Sequence, residues 1–144
     1  MIFTFEILRY DESPSTSDVE IFPGKCWEDR NLQNTIFIDE DDFIYAISNI
    51  LKHYRNYDTW GENAIHRSVG FRIISDWRDI GNKLLELTPK EAKSSFGIDF
   101  SYYERKDKLK EGSYKDLIAK MLLRLSLDCE SMYLNNEWIC ICGP

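Results

Sequence analysis

The chain lacks any apolar run approaching the roughly 18 to 20 residues that a membrane-crossing helix requires. It also lacks the basic stretch followed by an apolar one that marks an export leader, since Met1 to Tyr10 alternates instead. Neither a membrane-embedded nor an exported protein is therefore expected, which leaves the cytoplasm. There is no Gly-x-Ser-x-Gly turn, no phosphate-binding loop and no dinucleotide fingerprint. These absences remove the best-marked routes to hydrolysis, nucleotide use and hydride transfer. Internal repeats and low-complexity tracts are also missing. Cysteine is sparse, at Cys26, Cys129, Cys140 and Cys142, and a 144-residue chain with 14% aromatic residues does not need disulfide staples, so reduced thiols are expected.

What is present is globular composition: 43% hydrophobic against 30% charged residues, enough for one domain spanning residues 1–144 to bury a single core. The net charge of −7 is unevenly spread. Residues 1–45 hold 11 acidic and 3 basic side chains, a balance of −8, whereas residues 46–144 balance at +1. Such a field repels phosphate backbones and draws in cationic partners, so direct nucleic-acid binding is not expected.

Local patterns predict an α+β fold, a small mostly antiparallel sheet packed against about four helices. Residues 2–9, Val19 to Phe22, Thr35 to Ile38 and Glu137 to Cys142 read as strands. The last is expected to pair with the first, which places both termini in one sheet. Asp11 to Ser17 reads as a loop and Pro23-Gly24 as a turn. The run Asp39-Glu40-Asp41-Asp42 precedes Phe43, Ile47, Ile50, Leu51 and Tyr54 at helical spacing, the order expected where acids meet the positive end of a helix dipole. Asn63 to Val69 fits either a short helix or an irregular connection. Ile73, Trp77, Ile80, Leu84 and Leu87 form a second helical stripe, with Gly81 marking a close approach by another element. Thr88-Pro89-Lys90-Glu91 is a capping box opening a short helix to Gly97, and Ser113 with Asp116 opens another through Leu125.

Few constellations could carry chemistry. Cys140-x-Cys142, with Cys129 and a histidine, has one residue between thiols where zinc sites usually have two to four, so the pair reads as small apolar side chains on one strand face. His53 and His66 with Arg67 could serve phosphodiester cleavage, but the acidic field opposes it and no companion motif accompanies them. No catalytic residue, metal or cofactor is assigned. The remaining signal is acid beside aromatic. Trp27, Asp39, Glu40, Asp41, Asp42, Asp58, Trp60 and Glu62 form the candidate partner-binding set, with Trp27 or Trp60 as the anchor. The competing reading is that Trp27 and Trp60 are core residues, as large aromatics mostly are, and that the acids only solubilise.

In overall character the chain resembles the immunity proteins of bacterial polymorphic toxin systems, in particular those of contact-dependent growth inhibition. No short motif defines that class, and no residue role is carried over from it. The resemblance implies a protein that binds the C-terminal toxin domain of a neighbouring cell's effector, often a basic nuclease, and occludes its cationic cleft. An acidic blocker of this kind mimics the charge of the nuclease's substrate. A non-catalytic adaptor that binds a host enzyme, encoded by a phage or mobile element, is the alternative.

Overall fold

The computed structural model describes residues 5–12, 14–96, 104–105 and 113–144. Five strands, β1 (Ile7–Leu8), β2 (Asp18–Pro23), β3 (Ile36–Asp39), β4 (Glu62–His66) and β5 (Trp138–Cys142), form one antiparallel sheet in the order β1-β3-β2-β5-β4. The helices are α1 (Glu40–His53), α2 (Arg67–Glu86), α3 (Pro89–Phe96) and α4 (Ser113–Tyr133). The fold is the expected α+β class, with the first and last strands in the same sheet. The C-terminal strand does not pair with β1, however. It lies between β2 and β4, where Ile141 pairs with Ile21 on one side and Ile139 with Ile65 on the other, so its alternate isoleucines join the buried face.

Strand alternation sorts the side chains. Val19 and Ile21 of β2, Ile36 and Ile38 of β3, Ile65 of β4 and Ile139 and Ile141 of β5 share the face covered by helices. They meet Phe43, Ala46 and Ile50 of α1, Ile73, Ile74, Trp77 and Leu84 of α2, and Ile118, Leu122, Leu125 and Tyr133 of α4. The opposite face carries Phe22, Cys140 and Cys142 as a small separate cluster.

The predicted helix signals map onto real ends. Asp39 caps α1 by accepting the Asp41 N–H at 2.9 Å. Thr88 and Glu91 close a reciprocal capping box, with Thr88 N–H donating to Glu91 Oε1 at 3.1 Å and Glu91 N–H to Thr88 Oγ1 at 3.2 Å. The expected stop of α3 at Gly97 lies outside the described residues, as do positions 2–4 of the first predicted strand.

Asn63 to Val69 is neither a short helix nor irregular. It is the strand β4 followed directly by α2, with the His66 ring accepting the Ser68 N–H at the junction. The strand escaped prediction because Glu62–His66 alternates only briefly and Asn63 occupies an inward position. Asn63 is tolerated there because its side chain is fully used. Its Oδ1 accepts the Asp58 N–H at 2.7 Å, and its Nδ2 donates to the carbonyls of Asp58 at 2.8 Å and Ile141 at 3.0 Å.

The close approach anticipated at Gly81 is real: a Cβ there would sit 2.8 Å from Leu123 Cγ of α4. Gly70 is tighter still. A Cβ at Gly70 would lie 2.1 Å from the hydroxyl oxygen of Tyr133, which is fully buried and donates to Ile65 O at 2.8 Å. Gly70→Ala should therefore destabilise the protein by about 2 to 3 kcal/mol despite alanine's higher helix propensity. Urea unfolding measures this, and an unchanged or raised midpoint would show that Tyr133 can move aside.

Candidate functional site

The acidic run at residues 39–42 begins a helix, so its members point in different directions. Asp42 falls one residue before Phe43 on the inward side and is only 2% exposed. Its Oδ2 accepts the Phe5 N–H at 3.0 Å, anchoring a residue whose φ of +54° lies in the left-handed region that bulky side chains avoid. Asp42 therefore does not belong to a partner-facing surface, and the expectation that it does is corrected. It is a buried bolt between α1 and the chain before β1. Burial, reinforced by the charges of Asp39, Asp41 and Asp18, pushes its carboxyl up to about 6, while the Phe5 N–H pulls the other way. Asp18 sits opposite Asp39 in the β2–β3 register, and burial raises its carboxyl as well.

Glu40 and Asp41 point outward. They line a cleft of about 370 Å³ together with Val19, Ile44, Ile47, Tyr57, Thr59, Trp60 and Pro144. Glu40, Ile44 and Ile47 follow an i, i+4, i+7 stripe, so one ridge of α1 forms a wall that passes from charged to apolar. Trp60 forms part of the opposite wall. It is 69% exposed, and Ile44 is 62% exposed. Neither carboxylate has a hydrogen-bond or ion-pair partner among the described residues, and no cationic side chain lines the cleft.

The loop that presents Trp60 is held from several sides. Asp58 Oδ1 accepts the Trp60 N–H at 3.0 Å, Asn63 secures the Asp58 backbone, and the Gly143 N–H donates to Gly61 O at 3.0 Å. A Cβ at Gly143 would lie 1.8 Å from the Thr59 carbonyl oxygen, so only glycine lets the end of β5 lie against this loop. Asp58 is exposed but acts first as the turn's internal acceptor.

No protein-family model, curated protein or solved structure matches the chain.

Trp27 and Glu62 belong elsewhere. Glu62 lies opposite Cys142 in the β4–β5 register, on the sheet face away from the helices, and its Oε1 accepts the Trp27 N–H at 3.0 Å. Trp27 is 44% exposed, carries the Arg30 guanidinium 4.4 Å above its ring, and meets Phe22 edge-on at 6.3 Å. Arg30 in turn bonds Glu20 at 2.7 Å. Unlike Trp60, this indole already carries a cation of the chain's own over its ring. The structure thus joins Glu40, Asp41 and Trp60 in one cleft, supports them with Asp39 and Asp58, and sets Trp27 and Glu62 apart. Both tryptophans are exposed, contrary to the weight that composition placed on burial. Outside the candidate set the cleft is also lined by Ile44, Tyr57 and Pro144; Ile44 could have been found, since it falls outside the buried stripe of α1.

The two histidines are held by different partners. His53 Nε2 and Asp76 Oδ2 are 2.7 Å apart, while His66 Nδ1 contacts Ser68 at the start of α2. Eight residues of helix separate Ser68 from Asp76, roughly 12 Å at 1.5 Å per residue. All four thiols are free, and the Cys140 and Cys142 sulfurs lie 3.4 Å apart on one strand face. Among the described residues no group of three or more His, Cys, Asp or Glu side chains converges, and no helix is long and apolar enough to cross a membrane.

Asp42 yields a pH prediction with a definite sign. A carboxyl raised in the folded state holds its proton more tightly there than in the unfolded chain. Its contribution to stability is therefore present at acid pH and lost as pH rises through about 6. Asp42→Asn should be more stable than the parent by on the order of 1 to 2 kcal/mol at about pH 7.5, the gap closing toward about pH 4. Denaturant unfolding across that range tests it; a variant that is less stable at every pH would mean the charged Phe5 bond dominates.

Proposed function

We propose that this protein is an acidic inhibitor that neutralises a basic partner, in the manner of the immunity proteins it resembles, by inserting its anionic end into a cationic cleft of a toxin domain. One observation carries the reading: Glu40 and Asp41, with no counter-ion, border a cleft whose walls include the highly exposed Trp60 and Ile44. Uncompensated carboxylates around apolar anchors supply both parts of a recognition surface. The charges steer and orient, and burial of the aromatic and aliphatic groups provides most of the binding energy. Asp39, beside Glu40, extends the negative field across the end of the β2–β3 register, where Asp18 adds to it.

The held loop favours binding without reorganisation. Trp60 projects from a turn fixed by Asp58, Asn63 and Gly143, so little conformational entropy remains to be lost on docking. In this reading the chain needs no catalytic group, cofactor or metal of its own, and its cytoplasmic partner is a protein rather than a nucleic acid or a bilayer.

The test begins with co-purification of the full chain with the product of the gene directly upstream, where a cognate toxin would be encoded. Glu40→Lys with Asp41→Lys should then slow association by about tenfold or more at low salt and weaken protection of cells expressing the toxin. The Trp27 surface supplies the control, because Trp27→Ala should leave association unchanged within about twofold. Unaltered association after the double reversal would discard this surface. Capture of a host enzyme in place of the upstream product would favour the adaptor reading.

A further inference from the structure

The chemistry of the cleft walls is specific enough to identify the group it receives. One wall is aliphatic, from Ile44 and Ile47 of α1, and another presents the exposed Trp60 indole. At its mouth stand Glu40 and Asp41, adjacent on the first turn of α1, and neither carboxylate has a partner among the described residues. Tyr57 also lines it; this residue is only 9% exposed, and its hydroxyl has no hydrogen-bond partner among the described residues. Burial pushes that phenol well above its usual proton affinity, so it stays neutral and can either donate or accept. Two full negative charges outweigh the half-unit positive end of the α1 dipole, so the mouth favours a cation.

The geometry points to a pocket for a single arginine side chain of the partner, an inference that rests on the inhibitor reading above. Arginine alone among the side chains combines an aliphatic stem, a flat delocalised cation that stacks on an indole, and a fork of N–H donors matched to carboxylates. Its methylenes lie along Ile44 and Ile47, its guanidinium faces Trp60, and its outer N–H groups reach Glu40 and Asp41. A lysine places a compact, strongly hydrated charge in the same mouth and gains less from the flat indole wall. The protein already makes one such pairing for itself, where Arg30 lies 4.4 Å over Trp27 and bonds Glu20. The Trp60 cleft is the same arrangement with the arginine supplied from outside.

The probe is N-acetyl-arginine amide, with N-acetyl-lysine amide as comparison, titrated into the full 15N-labelled chain and followed at the Trp60 indole N–H, assigned by Trp60→Phe. Arginine amide is expected to give saturable shifts at Trp60 and Ile44, at least about fivefold tighter than lysine amide. Glu40→Gln with Asp41→Asn, which keeps side-chain size, should weaken arginine binding by about tenfold. Unchanged shifts at buried Trp77 would confirm that the variant is folded. Equal affinity for the two amides, shifts that survive the double substitution, or no shift at Trp60 would each overturn the arginine pocket. If the pocket fails while the same variant still loses the toxin, the inhibitor reading stands without it. If toxin binding is also untouched, both fall.

Discussion

Val19, Ile21, Ile36, Ile38, Ile65, Ile139 and Ile141 leave water together on one face of the sheet, and that shared burial dictates where everything else must go. Each such side chain contributes roughly 1.5 to 3 kcal/mol when buried, against roughly 0.5 to 1.5 kcal/mol net for an ordinary hydrogen bond. Covering the face requires the three long helices on the same side, with α2 and α4 packed so closely that Gly70 and Gly81 have no room for a Cβ. Once α1 is laid across the sheet by Phe43, Ala46 and Ile50, its outer ridge of Glu40, Ile44 and Ile47 is left facing the Trp60 loop. The cleft is thus a by-product of core packing, and its chemistry is decided by which α1 residues the core did not take.

The same packing divides the acidic residues. Charge at a helix N-terminus is favourable anywhere in the first turn, but only Glu40 and Asp41 can enjoy it while hydrated. Asp42 is drawn inside with Phe43 and keeps its place by holding Phe5, a residue in a strained backbone conformation. Buried close to Asp18 and Asp39, it meets repulsion as well as desolvation. Local stability is therefore given up at the very end of the molecule that presents the negative field. In the proposed inhibitor role, a cationic partner relieves repulsion that the free protein bears.

Exposure of Trp60 and Trp27 has two different physical meanings. Trp27 sits beneath Arg30 and beside Phe22, and it shields the second face of the sheet where Phe22, Cys140 and Cys142 are buried. Among the described residues Trp60 has no such ring or cation companion, and its loop is held by the Asp58 carboxylate and by backbone hydrogen bonds. The turn is fixed while the indole itself stays in water, which is why Trp60 enters the proposal as an anchor and Trp27 does not.

Much of the fold was legible in the chain order. Period-two alternation marked Val19 to Phe22 and Glu137 to Cys142, period 3.6 marked α1, α2 and α4, and the Thr88–Glu91 box marked the start of α3 to the residue. Such signals are local and act through backbone geometry, so they survive without knowledge of the partner element. The strand β4 was not legible, because an inward asparagine is acceptable only when Asp58 and Ile141 come from elsewhere to satisfy it. By itself the sequence determined the acidic character of the first third and the residue types around each tryptophan. Only the tertiary structure decided that Asp42 turns inward, that Trp27 and Glu62 lie on another face, and that Glu40, Asp41 and Trp60 share one cleft. Side-chain direction and neighbourhood are set by burial between segments far apart in the chain, and composition carries no record of which segments those are.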